Sequence, residues 1–293
     1  MAIGFIGTGN MGSPMALNLI NAGYSVVSFD RSDKALESIK AVNGVIASSL
    51  QELAMTAETV ITMLPTGDDV RKIYENEGGV IESVADNTLL IDCSTIDVEN
   101  AQIVARKASV RGLQMVDAPV SGGVSGAEAG TLTFMVGGSP EALERSRPLL
   151  AIMGQNIVHA GKSGSGQAAK LCNNMMLGIS MIATSEAFTL GQKLGLDPKT
   201  LFKIISTASG SCWAMQNHLP VPGIVETAAS NRDFRAGFSV GMMAKDLRLA
   251  QLAAKSVDAS TPLGREAAAL YTSFEENGNR DLDYSAIIKK ISG

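Results

Sequence analysis

The run IGFIGTGNMGSPMALNLINAG, close to the start, constrains this chain more than any other feature. Gly7, Gly9 and Gly12 keep G-x-G-x-x-G spacing, directly after the apolar run Ile3–Ile6 and at the opening of a helix-like segment. Strand, glycine turn and helix in that order begin a βαβ unit. Gly7 serves the tight turn, Gly9 lets the backbone approach a pyrophosphate, and Gly12 lets helix and strand pack closely. The helix start offers free N–H groups and a favourable dipole to the phosphates. Thr8, Asn10 and Met11 complete this candidate dinucleotide turn. Asp30 follows Gly12 by 18 residues, at the end of the next apolar run in VVSFDRS. A carboxylate there accepts ribose hydroxyls and repels a 2′-phosphate, which favours NAD. Arg31 beside it could pair with that phosphate, so NADP stays open. Glycines alone would be weak evidence; strand, helix and acid together make the pattern specific.

The rest of the first half repeats the alternation. Expected strands are Ile3–Ile6, Ser25–Asp30, Thr59–Leu64, Thr88–Asp92, Gln114–Val120, Leu132–Val136 and Asn156–His159, with helices near 11–22, 33–42, 68–76, 96–108 and 140–153. This predicts an α/β class, a doubly wound, mostly parallel sheet of Rossmann type. After GKSGSGQ (161–167) no period-2 strand is found, only helical segments broken by Gly and Pro. The expected organisation is a dinucleotide-binding domain over 1–161, then an all-helical substrate and dimerisation domain over 162–293.

Composition closes off several classes. A net charge of -5 without a basic run argues against nucleic-acid binding. Two histidines, and three cysteines with no CxxC spacing, give no metal site and point to reduced thiols. The longest apolar stretch, Leu171–Leu190, holds Asn173, Asn174, Ser185 and Glu186, which suits burial in protein better than lipid. An opening on MAIGFIG leaves no space for a signal peptide, and the expected location is cytoplasmic.

GQAAKLCNNMM (166–176) sets a cation and two amides into that apolar run. Lys170 and Asn174 lie one helical turn apart on one face, whereas Asn173 points elsewhere. A lysine snorkelling to water beside a buried amide would explain them without function. DAPVSGG (117–123) ends a strand in Ser121, Gly122 and Gly123, whose N–H groups can form an anion nest or simply a glycine-rich hairpin. FSVGMMAKDLRLA (238–250) sets Lys245 and Asp246 on a further helix, by default as a surface ion pair. Leu64, Pro65, Ser94 and Thr95 follow strands, where ligand crevices form in open α/β sheets.

Taken together, FIGTGNMGSPMALNL, DAPVSGG, GSGQAAKLCNN and FSVGMMAKDLRLA, in this order and spacing, resemble the β-hydroxyacid dehydrogenase family over essentially the whole chain. The resemblance implies Lys170 as catalytic acid/base, Asn174 as a substrate ligand, and Ser121, Gly122 and Gly123 as the grip on a substrate carboxylate. It also implies Lys245 against the cofactor, Asp246 near the substrate, Trp213 as a pocket wall, and Leu64, Pro65 and Thr95 lining the cofactor. A family of this kind is expected to form homo-oligomers, dimers or tetramers. A lysine suits the chemistry, since it can bridge the alcohol, stabilise the developing alkoxide and relay its proton. Burial and the cation Lys245 should both lower its pKa.

SCWAMQNHLPVPGI (211–224) is most similar to family members that oxidise 3-hydroxyisobutyrate to methylmalonate semialdehyde in valine breakdown. Reduction of tartronate semialdehyde, or oxidation of serine or 3-hydroxypropionate, are the alternatives within the family. A non-catalytic dinucleotide-binding module, of another class, would have no need of Lys170.

Overall fold

The computed structural model describes residues 2–293. The chain divides into two compact units, one ending at Lys170 and the other spanning Leu171–Gly293.

The first unit is built on a nine-stranded sheet: β1 (Ala2–Ile6), β2 (Ser25–Phe29), β3 (Val45–Ile46), β4 (Thr59–Thr62), β5 (Leu89–Asp92), β6 (Gln114–Asp117), β7 (Val120–Ser121), β8 (Leu132–Gly137) and β9 (Gly154–Gly161). Its order is β3-β2-β1-β4-β5-β6-β8-β7, with β9 also on β8. The pairs from β3 through to β6 are parallel, while β8 runs antiparallel to β6 and β7. The helices of this unit are α1 (Gly12–Asn21), α2 (Glu37–Ala41), α3 (Leu50–Thr56), α4 (Gly67–Glu75), α5 (Val80–Ser83), α6 (Val98–Val110), α7 (Gly123–Ala129) and α8 (Pro140–Met153). Helix α9 (Ser165–Lys193) starts here and continues into the second unit.

Because the sheet is covered on both faces, its strands are apolar at successive positions and their side chains alternate between two cores. Ile3, Phe5, Ile61, Leu89 and Ile91 enter one, against Met15 and Leu19 of α1 and Leu149 and Leu150 of α8. Ile6, Val60 and Leu90 enter the other, against Leu53, Val70, Tyr74 and Val104 of α3, α4 and α6. Local chemistry marks the helix starts. Ser49, Thr66, Asp97 and Ser139 each accept an N–H from the first turn of α3, α4, α6 and α8.

The α/β class, the mostly parallel sheet and the helical second half are as expected. Two expectations fail in detail. The strand read as Gln114–Val120 is two, because Pro119 has no N–H for a ladder and the chain turns to pair Val120 and Ser121 with β8 instead. The short elements β3, α3, α5 and α7 escaped the periodicity reading, which needs more residues than they supply.

The second unit is helical: the rest of α9, α10 (Pro198–Thr207), α11 (Trp213–His218), α12 (Val240–Ser256), α13 (Pro262–Phe274) and α14 (Ile288–Ile291). Its core gathers Met181 of α9, Val240, Met243 and Leu247 of α12, and Tyr271 and Phe274 of α13. A smaller cluster joins Phe188 to Met215, Leu219 and Val221. Of the α9 methionines, Met181 is core and Met175 packs against it; Met176 is exposed. No helix among the described residues is long and apolar enough to cross a membrane.

Candidate active site

At the glycine turn, each glycine shows its own constraint. Gly7 has φ +91°, and a Cβ there would lie 2.3 Å from the Met63 carbonyl oxygen. A Cβ on Gly12 would lie 1.9 Å from the Gly7 carbonyl oxygen, which is the close packing of α1 on the turn. Around Gly9 nothing lies within 4 Å of that position. The turn therefore leaves open backbone where a pyrophosphate would sit. The hydroxyl of Thr8 is buried without a hydrogen-bond partner. Asn10 is exposed and Met11 half-buried beside it. Asp30 braces this turn: Thr8 N–H donates to its Oδ2 at 2.8 Å, and Ser32 N–H to its Oδ1 at 2.8 Å. Arg31 is exposed and reaches Asp69 at 3.2 Å, so its guanidinium already has a carboxylate partner.

The loops after β4 and β5 are tied by a buried network. Asp92 Oδ1 accepts from Thr62 Oγ1 (2.7 Å) and from Ser94 Oγ (2.6 Å). With its proton directed there, Ser94 Oγ is left to accept the Leu64 N–H at 2.8 Å. Tyr74 closes the network on Thr62. Burial pushes the Asp92 carboxyl above its ordinary range, against the pull of Ser94 and Thr62. Ser94 is therefore a loop fastener rather than a helix cap, the cap of α6 being Asp97. Leu64, Pro65 and Thr95 follow on these two fixed loops, with Pro65 exposed and the other two half-buried.

β6 ends in Asp117, whose carboxylate caps the start of α9. Gly164 N–H donates to Oδ1 at 2.7 Å and Gln167 N–H to Oδ2 at 3.0 Å. Burial pushes this carboxyl up to about 6, opposed by those two donors. A folded-state value above the unfolded one means that ionisation costs stability as pH rises through that window. Between about pH 4 and pH 6 the cost reaches roughly 3 kcal/mol, at 1.36 kcal/mol per unit. Asp117→Asn has no such proton to lose. The unfolding free energy of wild type minus that of the variant should fall across this window in urea titrations, and a flat difference would count against it.

Ser121 pairs with Thr133 of β8, and Gly122 and Gly123 follow with φ +142° and +64° at the start of α7. These left-handed angles turn the chain sharply from strand into helix. The segment 121–123 is thus the junction of β7 and α7, and not a hairpin between two strands.

Lys170 is 6% exposed, a degree of burial that a snorkelling lysine does not show. It precedes Asn174, 1% exposed, by one turn of α9. In the second unit, Asn174 Nδ2 donates to Asp246 Oδ2 at 2.5 Å, and Asn173 Nδ2 donates to Asn174 Oδ1. Asn174 is thereby held in one amide orientation by two neighbours. Lys245 Nζ stands 3.4 Å from Asp246 Oδ1. This is not the surface pair expected by default, since Asp246 is almost fully buried. Trp213 is 56% exposed and its ring lies tilted against His218, centroids 4.9 Å apart, and His218 meets Tyr284 at 5.4 Å. Burial pushes the His218 imidazole below its ordinary range, with Asp283 opposing.

The sequence reading passed over Asp117, Gln167 and Asp92. The first two lie inside quoted motifs, DAPVSGG and GSGQAAK, and a polar side chain between small residues was the available signal. Among the described residues no cluster of three or more His, Cys, Asp or Glu is placed to hold a metal.

Residues 2–161 match the family model described as the NAD binding domain of 6-phosphogluconate dehydrogenase. Residues 164–291 match that described as the NAD-binding domain of NADP-dependent 3-hydroxyisobutyrate dehydrogenase. The chain belongs to the 3-hydroxyisobutyrate dehydrogenase family. One family member, the 3-hydroxyisobutyrate dehydrogenase of Pseudomonas aeruginosa, is 46% identical over 293 residues, covering 99% of this chain and 98% of the relative. Another, the NAD-dependent L-serine dehydrogenase of the same organism, is 46% identical over 287 residues, covering 98% and 96%. The solved structure of Mycobacterium tuberculosis 3-hydroxyisobutyrate dehydrogenase with L-serine superposes with a TM-score of 0.94 at 46% identity, covering 100% of this chain and 99% of that one. Members of this 3-hydroxyisobutyrate dehydrogenase family are oxidoreductases, and the open glycine turn with Asp30 fits their NAD.

Proposed function

We propose that this protein oxidises 3-hydroxyisobutyrate to methylmalonate semialdehyde with NAD. The observation that carries the reading is a buried lysine one turn before a buried asparagine whose amide is fixed by Asp246. NAD, when bound, supplies the nicotinamide carbon that accepts hydride from substrate C3. Gly7, Gly9, Gly12 and the N–H groups of Asn10 and Met11 would hold its phosphates, with Thr8 tying the turn to Asp30, and Asp30 would hold its ribose. Leu64, Pro65, Thr95 and Lys245 would line the rest. Lys170 takes the proton of the substrate hydroxyl and returns it in the reverse direction. Asn174 offers the hydroxyl a neutral dipole without competing for that proton. The Ser121 hydroxyl and the N–H groups of Gly122 and Gly123 grip the carboxylate, converting affinity into orientation of the hydroxyl. Asp246 keeps Asn174 in its orientation, and Trp213 walls the substrate.

L-Serine is the second reading. It carries an ammonium where 3-hydroxyisobutyrate has a methyl, and a buried acceptor would be needed for it. Asp246 Oδ1 is buried and accepts no hydrogen bond, but the Lys245 ammonium already stands 3.4 Å from it, and a serine ammonium would have to share that oxygen. A methyl contact discriminates by only about 1–3 kcal/mol, so overlapping activities are expected. The test is a panel of 3-hydroxyisobutyrate, L-serine, glycerate and 3-hydroxypropionate, each with NAD and with NADP at fixed pH. The highest kcat/KM is expected for 3-hydroxyisobutyrate with NAD. Fast turnover of serine or glycerate with none of 3-hydroxyisobutyrate would overturn the substrate, and a preference for NADP the role of Asp30.

We also infer a homo-oligomer. Met176 and Leu190 of α9 and Leu194 just past it expose large apolar side chains along one helix. A monomer mass in light scattering would remove this. The three free cysteines fit a reducing compartment such as the cytoplasm.

A further inference from the structure

Gln167 is fully buried, yet its side chain has every polar atom engaged. Nε2 donates to the Ser94 carbonyl at 2.8 Å, and Oε1 accepts the Ile96 N–H at 3.1 Å. The two bonds bracket Thr95, so one amide grips the peptides on both sides of that residue. The Gln167 main-chain N–H meanwhile donates to Asp117 in the α9 cap. Ser94 is itself locked to Asp92 and, through Leu64 N–H, to the loop after β4. The chain of bonds therefore runs from the β4 loop through the β5 loop to the first turn of α9, three residues before Lys170, all within the first unit.

We propose that Gln167 is a positioning residue: it holds the loop carrying Thr95 and the helix carrying Lys170 in one register, so that cofactor and proton acceptor keep a fixed spacing. This inference rests on the roles proposed above for Lys170 and Thr95. Apolar packing would hold helix and loop together just as firmly, but it is non-directional. Two antiparallel hydrogen bonds to one amide fix both the rotation of α9 and its position along its axis. That precision matters, because misplacing a reacting group by about 1 Å can cost on the order of 100-fold in rate. Close approach is permitted by Gly166, whose backbone sits against Met135 and Asp117.

The test uses the full-length enzyme with Gln167→Leu, Gln167→Glu and, as a control on the underlying reading, Lys170→Ala. Steady-state rates are measured at saturating NAD and 3-hydroxyisobutyrate over pH, with NAD affinity by calorimetry. Gln167→Leu should lower kcat by at least about 30-fold. Gln167→Glu places an oxygen against the Ser94 carbonyl, and the two repel while the carboxylate is ionised. Once protonated, its O–H donates to that carbonyl and restores the missing bond. The ratio of Gln167→Glu to wild-type kcat should therefore rise at least about fivefold from about pH 8 to about pH 6, the direction expected of a buried carboxyl with a raised pKa. The Gln167→Leu ratio should stay flat. Because ionising a buried carboxyl also costs folding stability, kcat is taken per folded site, counted by NAD titration in the calorimeter at each pH; a merely structural loss then leaves this pH contrast absent. If Gln167→Leu fails to fold, the Gln167→Glu profile alone decides.

A flat Gln167→Glu ratio, or folded variants with kcat and NAD affinity near wild type, overturns the proposal. Retained turnover in Lys170→Ala removes the lysine's role and this inference with it. Loss of turnover there beside unchanged Gln167 variants overturns the positioning role alone.

Discussion

Lys170→Ala is expected to lose turnover by about 10³-fold, within the range typical of a removed general acid/base, while NAD affinity changes little. The lysine is nearly fully buried, so truncation removes both the proton acceptor and the stem that places it. Two companions separate these losses. Lys170→Met keeps most of the volume and should be as slow as alanine. Lys170→Arg keeps the charge but should also be slow, because a guanidinium does not give up its proton near neutrality. A small primary amine added to Lys170→Ala should recover part of the rate, since the vacated space matches the missing group. Turnover within about tenfold of wild type in Lys170→Ala would remove the residue from acid/base duty.

Gly166→Ala should cost about 3 kcal/mol of stability, the upper end for overpacking, and lower the melting temperature by roughly 6–12 °C for a unit of this size. A Cβ there would stand 2.3 Å from the Met135 carbonyl oxygen and 2.6 Å from that of Asp117. Both belong to strands of the sheet, and the third neighbour, Asp117 Oδ2, is held by the α9 cap. None is a flexible side-chain end that could move aside. Gly9→Ala makes the contrast. Nothing lies near its Cβ position, so its melting temperature should stay within about 1 °C of wild type while NAD affinity falls. Thermal melts of both variants check the pair; an unaltered Gly166→Ala would show that α9 has more room at its start than the sheet geometry implies.

The sheet and the glycine turn were legible because their signals are periodic and local. Strands covered on both faces read as apolar runs, and Gly7, Gly9 and Gly12 must follow one of them. The start of α9 was legible only in its residue types. Nothing in GSGQAAK says that Gln167 bonds a loop 71 residues earlier, since that partner is fixed by sheet order. Asp117 escaped for the same reason. It reads as a polar strand end until the chain brings Gly164 and Gln167 onto it. Lys245 and Asp246 read as a surface pair because spacing carries no information about burial. β3 and α5, two and four residues long, owe their form to neighbours rather than to pattern.

The bond from Thr8 N–H to Asp30 has a bearing on any effort to retool this enzyme for the phosphorylated coenzyme. Exchanging Asp30 for a neutral or basic residue would take away the acceptor that stitches the glycine turn to the end of β2. The swap would thus loosen the grip on every dinucleotide while it altered the preference between them. A workable conversion must supply a replacement acceptor for Thr8 and also release Arg31 from Asp69, so Thr8, Asp30, Arg31 and Asp69 form one module for redesign.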